Sequence, residues 1–213
     1  MSFAVVLAHI LLPGAVAAAA GSGAWRCWRL LRYGSDPRLA RLMWFYGLFA
    51  ASLVPWVIWV ANVHAGGHGD LAGTLGGHHD GSAGVERVNG FLLAHHALML
   101  ASLGVAVRAF SHRRTPEAAA AAAGLALFGP FIPVALAFEA AMTLYLAIQA
   151  ILNHKERRSP GALQVAAGFL LLFLGHLSFF LFHAPGAGRT PLGDIFALVG
   201  IVLLAQLLPR PSA

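Results

Sequence analysis

Five side chains that can bind a metal or hold a proton lie inside apolar stretches of this 213-residue chain: His9, His95, His96, Glu139 and His176. Ionisable groups are costly in an apolar environment and tend to mark functional sites. Neutral imidazole is a common ligand of haem iron, copper and zinc. A carboxyl group in such a place must be protonated, paired or bound to a metal. The five residues therefore predict a site for haem b or for a copper ion.

Each of the five also has a purely structural interpretation. Consecutive residues of a helix point about 100° apart, so His95 and His96 cannot both face one ligand. At least one of the two is expected to pack against a neighbour or to hydrogen-bond a backbone carbonyl. Any of these histidines can be a satisfied packing residue, and Glu139 can be a protonated, hydrogen-bonded one. Which of His95 and His96 is the ligand stays open.

The composition indicates the elements that must position these residues. Hydrophobic residues make up 59% of the chain and charged residues 10%, with a mean hydropathy of +0.74, whereas ordinary soluble domains are about 25% charged. This predicts an all-α, polytopic transmembrane helix bundle that forms a single membrane domain over residues 1–213. The single cysteine, Cys27, excludes a disulfide within the chain and a cysteine-held metal cluster. Basic residues lie in short clusters between apolar runs, which is a topology signal rather than a nucleic-acid surface.

Five apolar runs are each long enough to cross a bilayer: residues 2–24, 42–63, 90–110, 161–183 and 191–208. Residues 116–153 form a further apolar stretch, which as one helix would be about 57 Å long, almost twice the hydrocarbon thickness. Gly129, Pro130 and Pro133 interrupt it. One kinked helix here gives six spans, and a hairpin of two shorter helices gives seven.

The positions of the basic residues favour the hairpin. With seven spans, twelve of the fourteen Lys and Arg residues fall on one side and only Arg87 and Arg189 on the other; with six spans the division is nine and five. By the positive-inside rule we predict seven spans, with the N-terminus outside and the C-terminus inside. Nine of the eleven histidines then lie in the outer half or the outer loops. Residues 64–89 form a Gly- and His-rich outer loop, which is either solvated and flexible or a weak collector of copper or zinc.

Two short patterns resemble known families. The sequence AHILL at 8–12, followed by an apolar span and an Arg-rich loop, together with LAHHAL at 93–98, resembles the CtaG-type assembly factors of haem–copper oxidases. That resemblance covers about the first 110 residues and implies seven spans, outer histidines and a role in copper delivery. The sequence AHHALM at 94–99, followed by Arg113, Arg114 and the pair Phe138 and Glu139, resembles oxidase subunit III more weakly.

These observations predict a membrane subunit or accessory protein of a respiratory or electron-transfer system, holding haem b or copper near the outer face. Its partners would be other membrane subunits of a respiratory complex and lipid, with no nucleic acid, in a bacterial or archaeal cytoplasmic membrane. The alternative is a non-redox scaffold subunit of a larger complex. The sequence contains no phosphate-binding glycine loop, nucleophile elbow or HExxH motif, so a hydrolase function has no support. Whether the protein is an enzyme stays open, with a subunit or accessory role favoured over a self-contained enzyme.

Overall fold

Six helices and no strands make up the part of the chain that the computed structural model describes, residues 3–64, 90–110, 132–181 and 191–208. The helices are α1 (Phe3–Leu31), α2 (Pro37–His64), α3 (Gly90–Phe110), α4 (Ile132–Arg157), α5 (Pro160–Leu181) and α6 (Pro191–Gln206). Residues 65–89 of the predicted Gly- and His-rich loop (64–89) and the part of the 116–153 stretch before Ile132 lie outside the described residues.

The six helices form a closed ring, in which each helix packs against its neighbours in sequence and α6 packs against α1. Short connections make α1 and α2, and likewise α4 and α5, antiparallel. Helices α2 and α3 are antiparallel as well, since Ser52 pairs with His95 at one end and Arg41 with Arg108 at the other. The guanidinium of Arg26 donates to the carbonyl oxygens of Ala205 and Leu208, at 2.9 and 2.7 Å, so α1 and α6 run parallel.

Helices α3 and α4 also run in the same direction. Near their N-termini His96 contacts Glu139, and near their C-termini Phe110 and Asn153 line one cavity. The chain therefore leaves α3 at one end of the ring and enters α4 at the other. We call the end that contains Ser52, His96, Glu139 and His176 the histidine end, and the end that contains Arg26, Arg41, Arg108 and Leu208 the arginine end.

The ring is apolar both inside and outside, as a membrane bundle requires. Fully buried side chains from five helices fill its centre: Phe45, Tyr46, Phe49, Leu53, Met99, Leu103, Leu146, Phe169, Leu172, Ile201 and Leu204. Other large apolar side chains point outward on every helix, among them Leu11, Val54, Leu93, Ile148, Leu170 and Val199. Because lipid tails are as apolar as this core, close packing rather than water exclusion must hold the helices together.

Glycines provide that close packing between α5 and α6. A Cβ on Gly175 would lie 2.9 Å from the carbonyl oxygen of Gly193, and one on Gly200 would lie 2.7 Å from that of Gly168. Only residues without a side chain let the two backbones approach so closely. This contact fixes the position of α5, the helix that carries His176.

By length and composition, four described segments can cross a membrane: Pro37–Ile58, Phe91–Phe110, Val134–Glu156 and Gly161–Leu181. These four agree with an integral membrane protein and with an all-α helix bundle. Helix α6 is apolar but shorter, and α1 is 29 residues long with Arg26 and Arg29 in its last two turns. Within the 116–153 stretch, the structure begins a helix at Ile132 and places Pro133 in its first turn, where proline is tolerated.

Candidate functional site

Glu139 lies between two histidines at the histidine end of the ring. Its Oε1 is 2.8 Å from Nδ1 of His96 on α3, and its Oε2 is 3.1 Å from Nδ1 of His176 on α5. The first contact is a hydrogen bond; the second is a close contact that does not meet hydrogen-bond geometry. The carboxylate is fully buried, and both imidazoles are nearly so. Three helices thus contribute one side chain each to a single cluster.

Thr143 lies one turn after Glu139 on α4, and its hydroxyl bonds within that helix. The Oγ1 of Thr143 donates to the carbonyl oxygens of Glu139 and Ala140, both at 2.9 Å. This satisfies the hydroxyl without an external partner, as is usual for Thr in apolar helices. Thr143 therefore stays buried without competing for the carboxylate.

The contacts with Glu139 determine which imidazole nitrogen of each ring keeps a lone pair that can bind another group. An ionised carboxylate only accepts hydrogen bonds, so a neutral His96 donates to it from Nδ1. The Nδ1 of a neutral His176 also carries its hydrogen, because a lone pair there would face the lone pairs of the carboxylate. The lone pair of each ring is then on Nε2. Histidines that bind metals commonly use this arrangement, in which a carboxylate fixes the tautomer and raises the basicity of the other nitrogen.

His95 points to a different helix from its neighbour His96, as the helical geometry predicts. Its Nδ1 is 2.6 Å from the backbone carbonyl oxygen of Ser52 on α2, and its ring lies beside Trp56, with centroids 6.0 Å apart. The expectation that at least one of the two histidines packs against a neighbour or hydrogen-bonds a backbone carbonyl is confirmed. Because a carbonyl can only accept, Nδ1 of His95 is the donor and carries the proton.

The structure thus brings together three of the five predicted residues, His96, Glu139 and His176, and directs His95 toward α2. His9 is buried near the N-terminus of α1 and lies at the same end of the ring. Among the described residues, no three His, Cys, Asp or Glu side chains are arranged as ligands of one metal ion. His68, His78, His79 and His183 lie outside the described part of the chain.

Two residues of the site were not predicted from the sequence. Ser52 supplies the backbone carbonyl that accepts the hydrogen bond from His95, and its own hydroxyl donates to the carbonyl of Phe49 at 2.7 Å. Thr143 supports the turn of Glu139. Both act through backbone groups, which every residue has, so only the packing of α2, α3 and α4 identifies them.

Comparison with known proteins gives no further assignment. No known protein family, curated protein or solved structure matches the chain.

Proposed function

We propose that this protein is a membrane subunit or accessory protein of an electron-transfer system, and that it holds a copper ion through His96 and His176. The observation that supports this is the sharing of one buried carboxylate by the Nδ1 atoms of two imidazoles. Glu139 would then act behind the ligands, orienting both rings, rather than as a ligand itself. A copper role fits a carrier or assembly factor better than an enzyme.

The shared carboxylate favours copper over haem b at this pair. Two axial ligands of one haem approach the iron from opposite faces of the porphyrin. A single carboxylate cannot reach the Nδ1 atoms of both rings in that arrangement, because the macrocycle lies between them. Two ligands on the same side of a small ion meet no such obstacle.

Charge balance favours a monovalent ion. A cluster of one carboxylate and two neutral imidazoles carries one negative charge, which is costly inside a membrane unless it is compensated. A copper(I) ion would make the whole site neutral, and imidazole is an accepted copper ligand.

Two buried methionines are candidates to complete the ligand set. Met99 follows His96 by three residues on α3, and Met142 follows Glu139 by three residues on α4. Residues at that spacing share a helix face, and both side chains are buried. A thioether is a soft ligand that selects copper(I) over zinc.

We also propose that the chain has seven spans, with the histidine end outside. The parallel directions of α3 and α4 support this, because α3 ends at the arginine end and α4 begins at the histidine end. The 21 residues between the two helices are enough in number for one further span. The arginine end would then be cytoplasmic. The resemblance to CtaG-type oxidase assembly factors agrees with this topology and suggests a respiratory complex as partner, in a bacterial or archaeal cytoplasmic membrane.

The proposal is tested by the copper content and visible spectrum of the purified, copper(I)-loaded protein. We expect about one copper per chain without a Soret band, and loss of copper in His96→Ala and in His176→Ala. His154→Ala is the matched control, since His154 lies at the arginine end, bonded to the carbonyl of Ser159. A Soret band would indicate that the site holds haem instead of copper. A colourless protein that takes up no copper would favour the alternative, a non-redox scaffold subunit.

A further inference from the structure

A cavity of about 460 Å³ opens into the arginine end of the ring. Its walls come from five helices and are mostly apolar; the large apolar side chains are Leu39, Leu42, Phe110, Val165, Leu204, Leu207 and Leu208. Tyr46 and Leu204 are fully buried and close its inner end. A chamber of this size and lining suits a flexible hydrocarbon chain or a drug-sized apolar molecule.

The polar groups of the cavity include Asp36, Arg38, Asn153 and Ser159. Asp36 is already engaged, because its Oδ1 accepts the backbone N–H of Arg38 at 2.8 Å and so caps the N-terminus of α2. The guanidinium of Arg38 is exposed at this mouth and forms no ion pair with any other residue in the described ranges. Arg26 and Arg41, in contrast, are bonded to backbone carbonyls.

The surroundings of the mouth are strongly basic. The described part of this end carries Arg26, Arg29, Arg32, Arg38, Arg41, Arg108, Lys155 and Arg158, against the acidic residues Asp36 and Glu156. Basic clusters at one end of a membrane bundle attract anionic lipid headgroups, at about 1 kcal/mol per Lys or Arg near the surface. The apolar chamber and the positive charge at its mouth therefore complement a molecule with a hydrocarbon chain and an anionic head.

We propose that this cavity binds an anionic phospholipid, with one acyl chain inside the ring and the phosphate head at Arg38. Free inorganic phosphate matches the arginine but not the apolar chamber. A neutral amphiphile matches the chamber but not the charge. The inference is independent of the proposed copper site, which lies at the opposite end of the ring.

The test is native mass spectrometry of the protein from vesicles of phosphatidylglycerol or of phosphatidylcholine with the same acyl chains, after mild delipidation. We expect one retained phosphatidylglycerol per chain and at least fivefold less phosphatidylcholine. Val165→Phe fills the cavity and should abolish retention. Leu163→Phe, on the exposed face of the same helix, is its control. Arg38→Gln should weaken retention about fivefold, whereas Arg29→Gln, which removes the same charge away from the cavity, should not.

Equal retention of the two lipids would overturn the proposal, and so would retention that Val165→Phe leaves unchanged. A wild-type chain that retains no lipid would show that the cavity is filled by another part of the protein or is empty, and would overturn it as well. Thermal stability in detergent, measured for Val165→Phe and Leu163→Phe together, separates loss of the cavity from loss of the fold.

Discussion

Glu139 and His96 lie 43 residues apart in sequence and are joined at 2.8 Å, Oε1 to Nδ1, inside a ring of apolar helices. A second imidazole, that of His176, lies 3.1 Å from the other carboxylate oxygen. Burying a carboxylate and two imidazoles within a membrane costs free energy, and such groups tend to mark functional sites. The predictions below test what this cluster and the ring around it do.

Glu139→Gln should lower copper(I) affinity about 10- to 100-fold, the usual cost of losing a partner that orients metal-binding histidines. The amide removes the negative charge and leaves a single acceptor oxygen, since its NH2 group can only donate hydrogen bonds. Affinity is measured by competition with a chromophoric copper(I) chelator. Glu156→Gln, an exposed carboxyl at the arginine end, is the matched control. Unchanged copper(I) affinity in Glu139→Gln would show that Glu139 does not contribute to copper binding.

The adjacent histidines should behave differently on substitution. His96→Ala removes a proposed ligand and should abolish copper binding. His95→Ala should keep it, because that ring is anchored to the Ser52 carbonyl on α2. It should instead lower the stability in detergent by about 1–3 kcal/mol, since a buried hydrogen-bond partner is lost. Copper content and thermal unfolding are measured on the same samples, and the reverse pattern would identify His95 as the ligand.

Met99→Leu should weaken copper(I) binding without changing zinc binding, because it replaces a soft thioether by a hydrocarbon of similar volume. Leu103→Met, one turn further along α3 and also fully buried, is a control for packing. Equal affinity for copper(I) in wild type and Met99→Leu would show that Met99 is not a ligand. The third ligand would then be Met142 or a residue of a partner subunit.

The predicted seven spans can be tested by labelling cysteines from each side of the membrane. Residues 111 and 159 lie on the same side with seven spans and on opposite sides with six. Ser111→Cys and Ser159→Cys should therefore react with a membrane-impermeant maleimide from the same face. The native Cys27 is fully buried and provides the unreactive background. Labelling from opposite faces would contradict the seven-span topology.

The glycine contact between α5 and α6 should be sensitive to a single methyl group. A Cβ on Gly193 would overlap the Phe179 ring and the Ser178 hydroxyl, so Gly193→Ala should destabilise the protein by about 1–3 kcal/mol through overpacking. Gly21→Ala, where a Cβ meets nothing within 4 Å, should not. Equal melting temperatures for the two variants would mean that α5 and α6 are not held at this distance.

Composition and helical periodicity were sufficient to predict an all-α membrane bundle, because the apolar runs are long and the charged residues few. They also predicted that His95 and His96 diverge, which follows from the angle between consecutive helical residues. They did not predict that His96 and His176 share Glu139, since that depends on how α3, α4 and α5 are rotated against one another. The direction of α4 relative to α3 likewise follows from packing, and charge bias alone indicated it only indirectly.

Pulsed electron paramagnetic resonance of the protein, loaded with copper(I) and then oxidised to copper(II), tests the central claim most directly. Two imidazoles bound through Nε2 leave two distal Nδ1 nitrogens, each of which modulates the electron spin echo. We predict the modulation pattern of two imidazoles in the wild type, of one in His96→Ala and of one in His176→Ala. A pattern that neither substitution changes, or a signal without imidazole nitrogen, would contradict a copper site built on these two histidines.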